Sequence, residues 1–269
     1  MIHFALPVFA LFLAADPAPG PSALDLGYRQ MYDLQFDEAH KTFAEYGRLH
    51  PDDPLTPASD AAAYLFAEFD RLNILQSEFF VHDDNFRHPK KLSADPGARQ
   101  AFDGELAKAG KIAAGELGSA PQDANALFAT IMVSGLRADF EGLIDKHYLS
   151  SLGSVKNSRV LSEKLLAIDP TRYDAYLAGG VENYMLSLKA APMRWFLRIA
   201  GAETDRELGL QKLRLTAEKG HYLKPYAMLL LAVAALRDRD LDQARAILRD
   251  LVTQFPHNRL YAEELARIP

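Results

Sequence analysis

His82, Asp83, Asp84 and His88 fall in one short stretch, and all four have side chains that can bind a divalent metal. A zinc or manganese centre needs three or four such ligands converging at about 2.0–2.2 Å, braced by a second layer of hydrogen bonds. The spacing of His82 and His88 does not put both on one helix face. Asp-Asp-Asn is equally a turn sequence, anchored here by Phe79, Phe80 and Phe86. The stretch reads as a solvated loop, and no metal or other cofactor is expected. A second stretch, 173–206, is richer. It carries Tyr173, Tyr176, Glu182, Asn183, Tyr184, Arg194, Trp195, Arg198, Asp205 and Arg206. Tyr, Trp and Arg are the residue types that dominate binding hot spots. Glu182 and Asp205 could act as an acid–base pair, but nothing in their spacing sets the separation that such chemistry needs.

Two readings of this second stretch follow. In one, Glu182 or Asp205 pairs with Arg194 or Arg198 and locks an insertion onto the body, with Trp195 filling a gap. In the other, the same groups wall a groove for a peptide or a small ligand, with Tyr176, Asn183, Arg194 and Trp195 around it. Gly179 and Gly180 lie mid-helix, where each costs about 1 kcal/mol relative to Ala. A close approach by another backbone or a ligand accounts for them.

The sequence has no H-E-x-x-H, G-x-S-x-G or S-x-x-K pattern. The segment GELAKAGK at 104–111 has the wrong spacing for a phosphate loop and no Ser or Thr after Lys111. With no cysteine, thiolate metal sites, disulfides and cysteine nucleophiles are excluded. The charge balance, 30 basic against 36 acidic residues for a net charge of −6, disfavours a nucleic-acid partner, which needs a basic footprint. The remaining histidines are scattered. The expectation is a protein without enzymatic activity.

The elements that must position these residues are helices. The chain has 269 residues, 49% hydrophobic and 25% charged, which is the profile of a folded protein. Ser22-x-x-Asp25, Thr171-x-x-Asp174, Thr204-x-x-Glu207 and Asp240-x-x-Gln243 open segments with apolar residues at helical spacing. The spacing predicts helices at about 22–34, 36–50, 57–79, 96–117, 122–137, 153–168, 171–188, 204–219, 223–236 and 240–255. A short terminal helix is predicted at 259–267, irregular insertions at 80–95 and 189–203, and a longer link at 138–152. No convincing strand pattern is present. Residues 4–13 form an apolar run followed by Ala14 and Ala15. Residues 1–15 are therefore expected to be a cleaved export signal and 16–21 a linker, which would place the protein in the periplasm or outside the cell, or in the cytoplasm if the signal is not one. No stretch has transmembrane length. The composition does not exclude a homo-oligomer.

A spacing recurs. Ala39, Phe43 and Pro51 stand as Ala244, Leu248 and Pro256 do, and Leu26-Gly27 precedes the first set as Leu231-Ala232 precedes the second. Pro170 and Pro121 end two further apolar helices. At these residues the chain resembles the tetratricopeptide repeat, a helix–turn–helix unit of 34 residues, and as a whole it is similar to bacterial proteins of that type. The resemblance implies an all-α, right-handed solenoid of about five hairpins over 22–269 with a C-terminal capping helix. It also implies a binding or scaffold role, in which a peptide or protein partner lies on the concave helical surface.

Overall fold

The computed structural model describes residues 22–74, 92–189, 191–199 and 201–269. The expected export signal, and the loop with His82, Asp83, Asp84 and His88, lie outside them. Every regular element described is helical: α1 (Ala23–Tyr32), α2 (Phe36–Leu49), α3 (Leu55–Arg71), α4 (Pro96–Ser119), α5 (Ala124–Asp139), α6 (Tyr148–Ile168), α7 (Tyr176–Ser187), α8 (Ala191–Ile199), α9 (Arg206–Lys219), α10 (Lys224–Arg237), α11 (Leu241–Gln254) and α12 (Arg259–Arg267). A π-turn (Phe140–Ile144) follows α5, and a 3-10 turn (Tyr173–Ala175) precedes α7.

Local chemistry sets most of the starts. Ser22 and Asp25 form a reciprocal capping box, and Asp240 accepts from the Gln243 amide. Two expected caps work otherwise. At α9 the cap is Asp205, which accepts from the Leu208 amide, while Thr204 receives Arg198. The helix expected from residue 171 begins at Tyr176, because the Asp174 carboxylate is used elsewhere: it accepts from the amides of His221, Tyr222 and Leu223 at 2.8, 3.0 and 3.1 Å. The helix expected at 57–79 runs from Leu55 to Arg71, and Asn73 then turns left-handed at φ 58°. The expected link 138–152 is the π-turn plus the first turn of α6. The expected insertion 189–203 holds α8.

The described helices pair into five antiparallel hairpins, α1/α2, α3/α4, α5/α6, α7/α9 and α10/α11, with α12 packed on the last. In hairpin one, Ala39 and Phe43 are completely buried, and a Cβ on Gly27 would sit 2.2 Å from the Phe43 ring. In hairpin five, Ala244 and Leu248 are buried alike. The turns match too. Leu34 and Arg239, each five residues before the small alanine, both adopt φ near 60°. Small residues let the paired helices approach, and large ones fill the remaining gap.

The stack curls until its ends meet. The Asp33 carboxylate accepts from the His257 amide at 2.8 Å and contacts its Nδ1 at 2.6 Å, across 224 residues of sequence. The Asn258 amide donates to the Tyr32 carbonyl at 2.7 Å, and Arg259 reaches Asp70. Apolar contacts close the same seam: Tyr28 stacks on Tyr222, and Phe66 meets Tyr226 edge-on. Helix α10 is consequently buried on nearly every side from Pro225 to Ala235, the pattern of a helix wrapped by others. Much of the inner face that the solenoid offers is taken by its own fifth hairpin.

Candidate functional site

The first helices of the five hairpins surround a central cavity of about 80 Å³. A buried water needs roughly 10–15 Å³, so the space suits an organic group of a few heavy atoms. Tyr28 and Tyr32 face it from α1, Phe66 from α3, Met132, Leu136 and Asp139 from α5, Leu177 and Val181 from α7, and Tyr226 from α10. Helix α6 reaches it at Val155 and Ser158 beside Gly135. The aromatic rings run on from one another, with centroids 6.4 Å apart for Tyr28–Tyr32, 5.6 Å for Tyr32–Phe66 and 5.4 Å for Phe66–Tyr226.

The polar groups are few. The Tyr28 hydroxyl donates to Met132 Sδ and accepts from Ser59 Oγ at 3.0 Å. The Tyr32 hydroxyl is buried with no hydrogen-bond partner among the described residues. Tyr226 donates to Asp139 Oδ2 at 3.3 Å. Asp139 keeps some exposed surface as a residue, but its carboxyl sits among apolar groups, and burial pushes it from 3.8 up to about 7, with the Tyr226 bond offsetting part of the shift. A folded-state value above the unfolded one means that stability is fully present below pH 3.8 and is lost as pH rises through about 7. The full shift corresponds to roughly 4 kcal/mol, and residual exposure reduces the effect to about 2 kcal/mol. Asp139→Asn retains an acceptor for Tyr226. It is expected to leave urea stability at pH 4 nearly unchanged and to raise it by about 2 kcal/mol at pH 8; equal effects at both pH values would contradict the burial of this carboxyl.

Most residues singled out between 173 and 206 lie in a different place, the junction of α6, α7 and the loop 201–205. Glu182, 1% exposed, receives Arg159 Nε at 2.7 Å and the Glu203 amide at 3.1 Å. Burial pushes its carboxyl upward, and the Glu203 amide and Arg159 pull it back. Arg159 also donates to Glu163 and to the Gly201 carbonyl. Asn183 is fully buried; its amide donates to the Gly179 carbonyl and to Glu203, and its oxygen accepts from the Asp205 amide. Arg194 donates to the carbonyls of Ser187 and Lys189, and Arg198 to Thr204. Arg206 pairs with Asp238 and lies over the buried Tyr184 ring. Tyr173 stacks on Tyr176 and lies under the Lys219 ammonium. Trp195 is 67% exposed on α8, which also exposes Met193 and Ile199.

Glu182, Asn183 and Asp205 are thus brought together as a fastening of the loop, with Arg159 as the cation instead of Arg194 or Arg198. Asn183 and Trp195 do not share a cleft: one has no exposure and the other is mostly exposed. Glu182 and Asp205 are both engaged by backbone amides. Among the described residues no group of three or more His, Asp or Glu is placed to hold a metal, and no helix is long and apolar enough to cross a membrane. The cavity residues Tyr28, Phe66, Asp139 and Tyr226 were not foreseen. The one local signal was Asp139, the single acid in the largely apolar helix ANALFATIMVSGLRAD.

The class defined by this architecture is an all-α repeat protein. A family model described as tetratricopeptide repeat matches residues 226–258, which is hairpin five from Tyr226 to the cap of α12. The chain therefore carries a tetratricopeptide repeat, and hairpin one reproduces its packing with Gly27, Ala39 and Phe43. Such repeats are in general protein-interaction modules. No curated protein matches the chain.

Proposed function

We propose that this protein is a non-enzymatic binding protein that holds a peptide or protein partner, and that the central cavity takes in one side chain of that partner. The supporting observation is the cavity itself: the inner helices of all five hairpins contribute to it, so an occupant is read by the whole ring. With α10 filling much of the inner face, a partner is gripped at a point more than along a groove. If residues 1–15 act as an export signal, the partner is met outside the cytoplasm.

Gly135 supplies the test. A Cβ there meets only Ser158 Oγ, at an ordinary 3.6 Å, so a longer side chain extends into the cavity without displacing backbone. Gly135→Leu is expected to keep or raise the melting temperature, since leaving Gly gains up to about 1 kcal/mol of helix propensity. It should weaken binding to peptides selected on the wild type by tenfold or more. Equal binding by both proteins would overturn the cavity as the grip.

A second reading rests on Met193, Trp195 and Ile199, exposed by 52%, 67% and 66%. A partner that covers α8 shifts the emission of Trp195, the chain's single tryptophan. A partner held only in the cavity leaves it unchanged.

A further inference from the structure

The charges around the cavity are one-sided. Among the described residues its lining includes two carboxylates, Asp139 and Asp174, and no Lys, Arg or His. Asp174 is engaged by three backbone amides. Among the described residues Asp139 has one donor, the Tyr226 hydroxyl at a long 3.3 Å, although a carboxylate accepts about four. Close by runs the chain of rings Tyr28, Tyr32, Phe66 and Tyr226, whose faces attract cations. The Tyr32 hydroxyl is a further polar atom without a partner among the described residues. A cavity built only for packing would be lined by apolar groups and would not hold an under-bonded acid.

We propose that the cavity is an alkylammonium site, which takes the lysine side chain of the partner, with its methylenes against the aromatic rings and its charge opposite Asp139. This rests on the cavity being the point of grip. The size agrees, because four methylenes and an ammonium make a slim chain of a few heavy atoms. The titratable groups facing the site are Asp139 from α5, Asp174 from the turn before α7, Tyr28 and Tyr32 from α1 and Tyr226 from α10. The three tyrosines are driven upward by burial and stay neutral. Asp139 is therefore the group whose ionisation changes near neutrality, and cation binding strengthens as it ionises.

Calorimetric titration of the wild-type chain with n-butylammonium and with 1-butanol, which has the same number of heavy atoms, separates charge from shape. At pH 8 the cation is expected to bind at least tenfold more tightly than the alcohol. Its affinity should fall about tenfold by pH 5.5, while that of the alcohol stays constant. Asp139→Asn should bring the two ligands within about twofold of each other. Nα-acetyl-lysine N-methylamide should bind, and its norleucine counterpart should not. If the alcohol binds as tightly as the cation, or if Asp139→Asn keeps the difference, the ammonium assignment is overturned and the cavity remains the grip. If neither small ligand binds, the cavity reading falls with it. If n-butylammonium binds through Asp139 but the capped lysine does not, the lysine assignment is overturned in favour of a free amine.

Discussion

Arg159→Met is expected to cost about 3–5 kcal/mol of folding stability, the range found when one partner of a buried ion pair is removed. Arg159 is only 8% exposed, and Glu182 beneath it 1%. Without the guanidinium, the Glu182 carboxylate keeps the Glu203 amide at 3.1 Å and loses the Arg159 cation that pairs with it at 2.7 Å. Burial already pushes this carboxyl upward, and the substitution pushes it further. An acid raised in the folded state is fully stable below its unfolded value and loses stability as pH rises. The deficit measured by urea unfolding should therefore be larger at pH 8 than at pH 5. The double variant Arg159→Met, Glu182→Leu should recover most of the loss, because a buried ion pair exchanged for apolar groups of similar volume is often neutral. A single variant within about 1 kcal/mol of wild type at both pH values would mean that the pair does not hold the loop 201–205.

This fastening shows where sequence reading succeeds and where it stops. Glu182, Asn183 and Asp205 stood out in the sequence as acids and an amide in a stretch rich in Tyr, Trp and Arg, able to lock the insertion onto the body. Their cation could not be named, since Arg159 lies on another helix and reaches them only once hairpins three and four are stacked. The hairpins themselves were legible: a small residue, a large one four later and a terminal proline are local features, and Ala39, Phe43 and Pro51 display them with a single unit. Closure of the ring was not legible. It is the sum of small rotations over five hairpins, and its contacts, such as Asp33 with His257, join opposite ends of the sequence. The cavity follows from closure, so Tyr28, Phe66, Asp139 and Tyr226 carried no joint signal. Gly179-Gly180 fell between the two cases. A close helix approach was foreseeable from two glycines in mid-helix, but which of them makes it depends on the neighbour's register.

That register gives the second large effect. Gly209→Val is expected to destabilise the protein by about 3 kcal/mol or more, at the upper end of overpacking costs. A Cβ on Gly209 would lie 2.5 Å from the Tyr184 amide nitrogen and 3.0 Å from both Asn183 Cβ and the Gly180 carbonyl. Two of these three atoms are backbone of α7 and cannot rotate away, so α7 and α9 must separate. Separation strains the Asn183 bonds that hold Glu203 and Asp205, and the fastening of the loop is lost with the packing. Gly180 takes part from the other side: a Cβ added there would lie 3.2 Å from the Leu213 amide nitrogen and 3.0 Å from the Leu213 side chain. Gly179 behaves differently. Its added Cβ meets the end of the Lys212 side chain at 2.8 Å, which can swing aside, so Gly179→Ala should stay within about 1 kcal/mol of wild type once the gain in helix propensity is counted. Gly110→Ala, in open space on α4, isolates that gain. Thermal and urea unfolding of the three variants should rank them Gly110→Ala, Gly179→Ala and, far below, Gly209→Val. A Gly209→Val protein that melts like wild type would mean that α7 and α9 do not cross in backbone contact, and the stacking of the fourth hairpin would have to be redrawn.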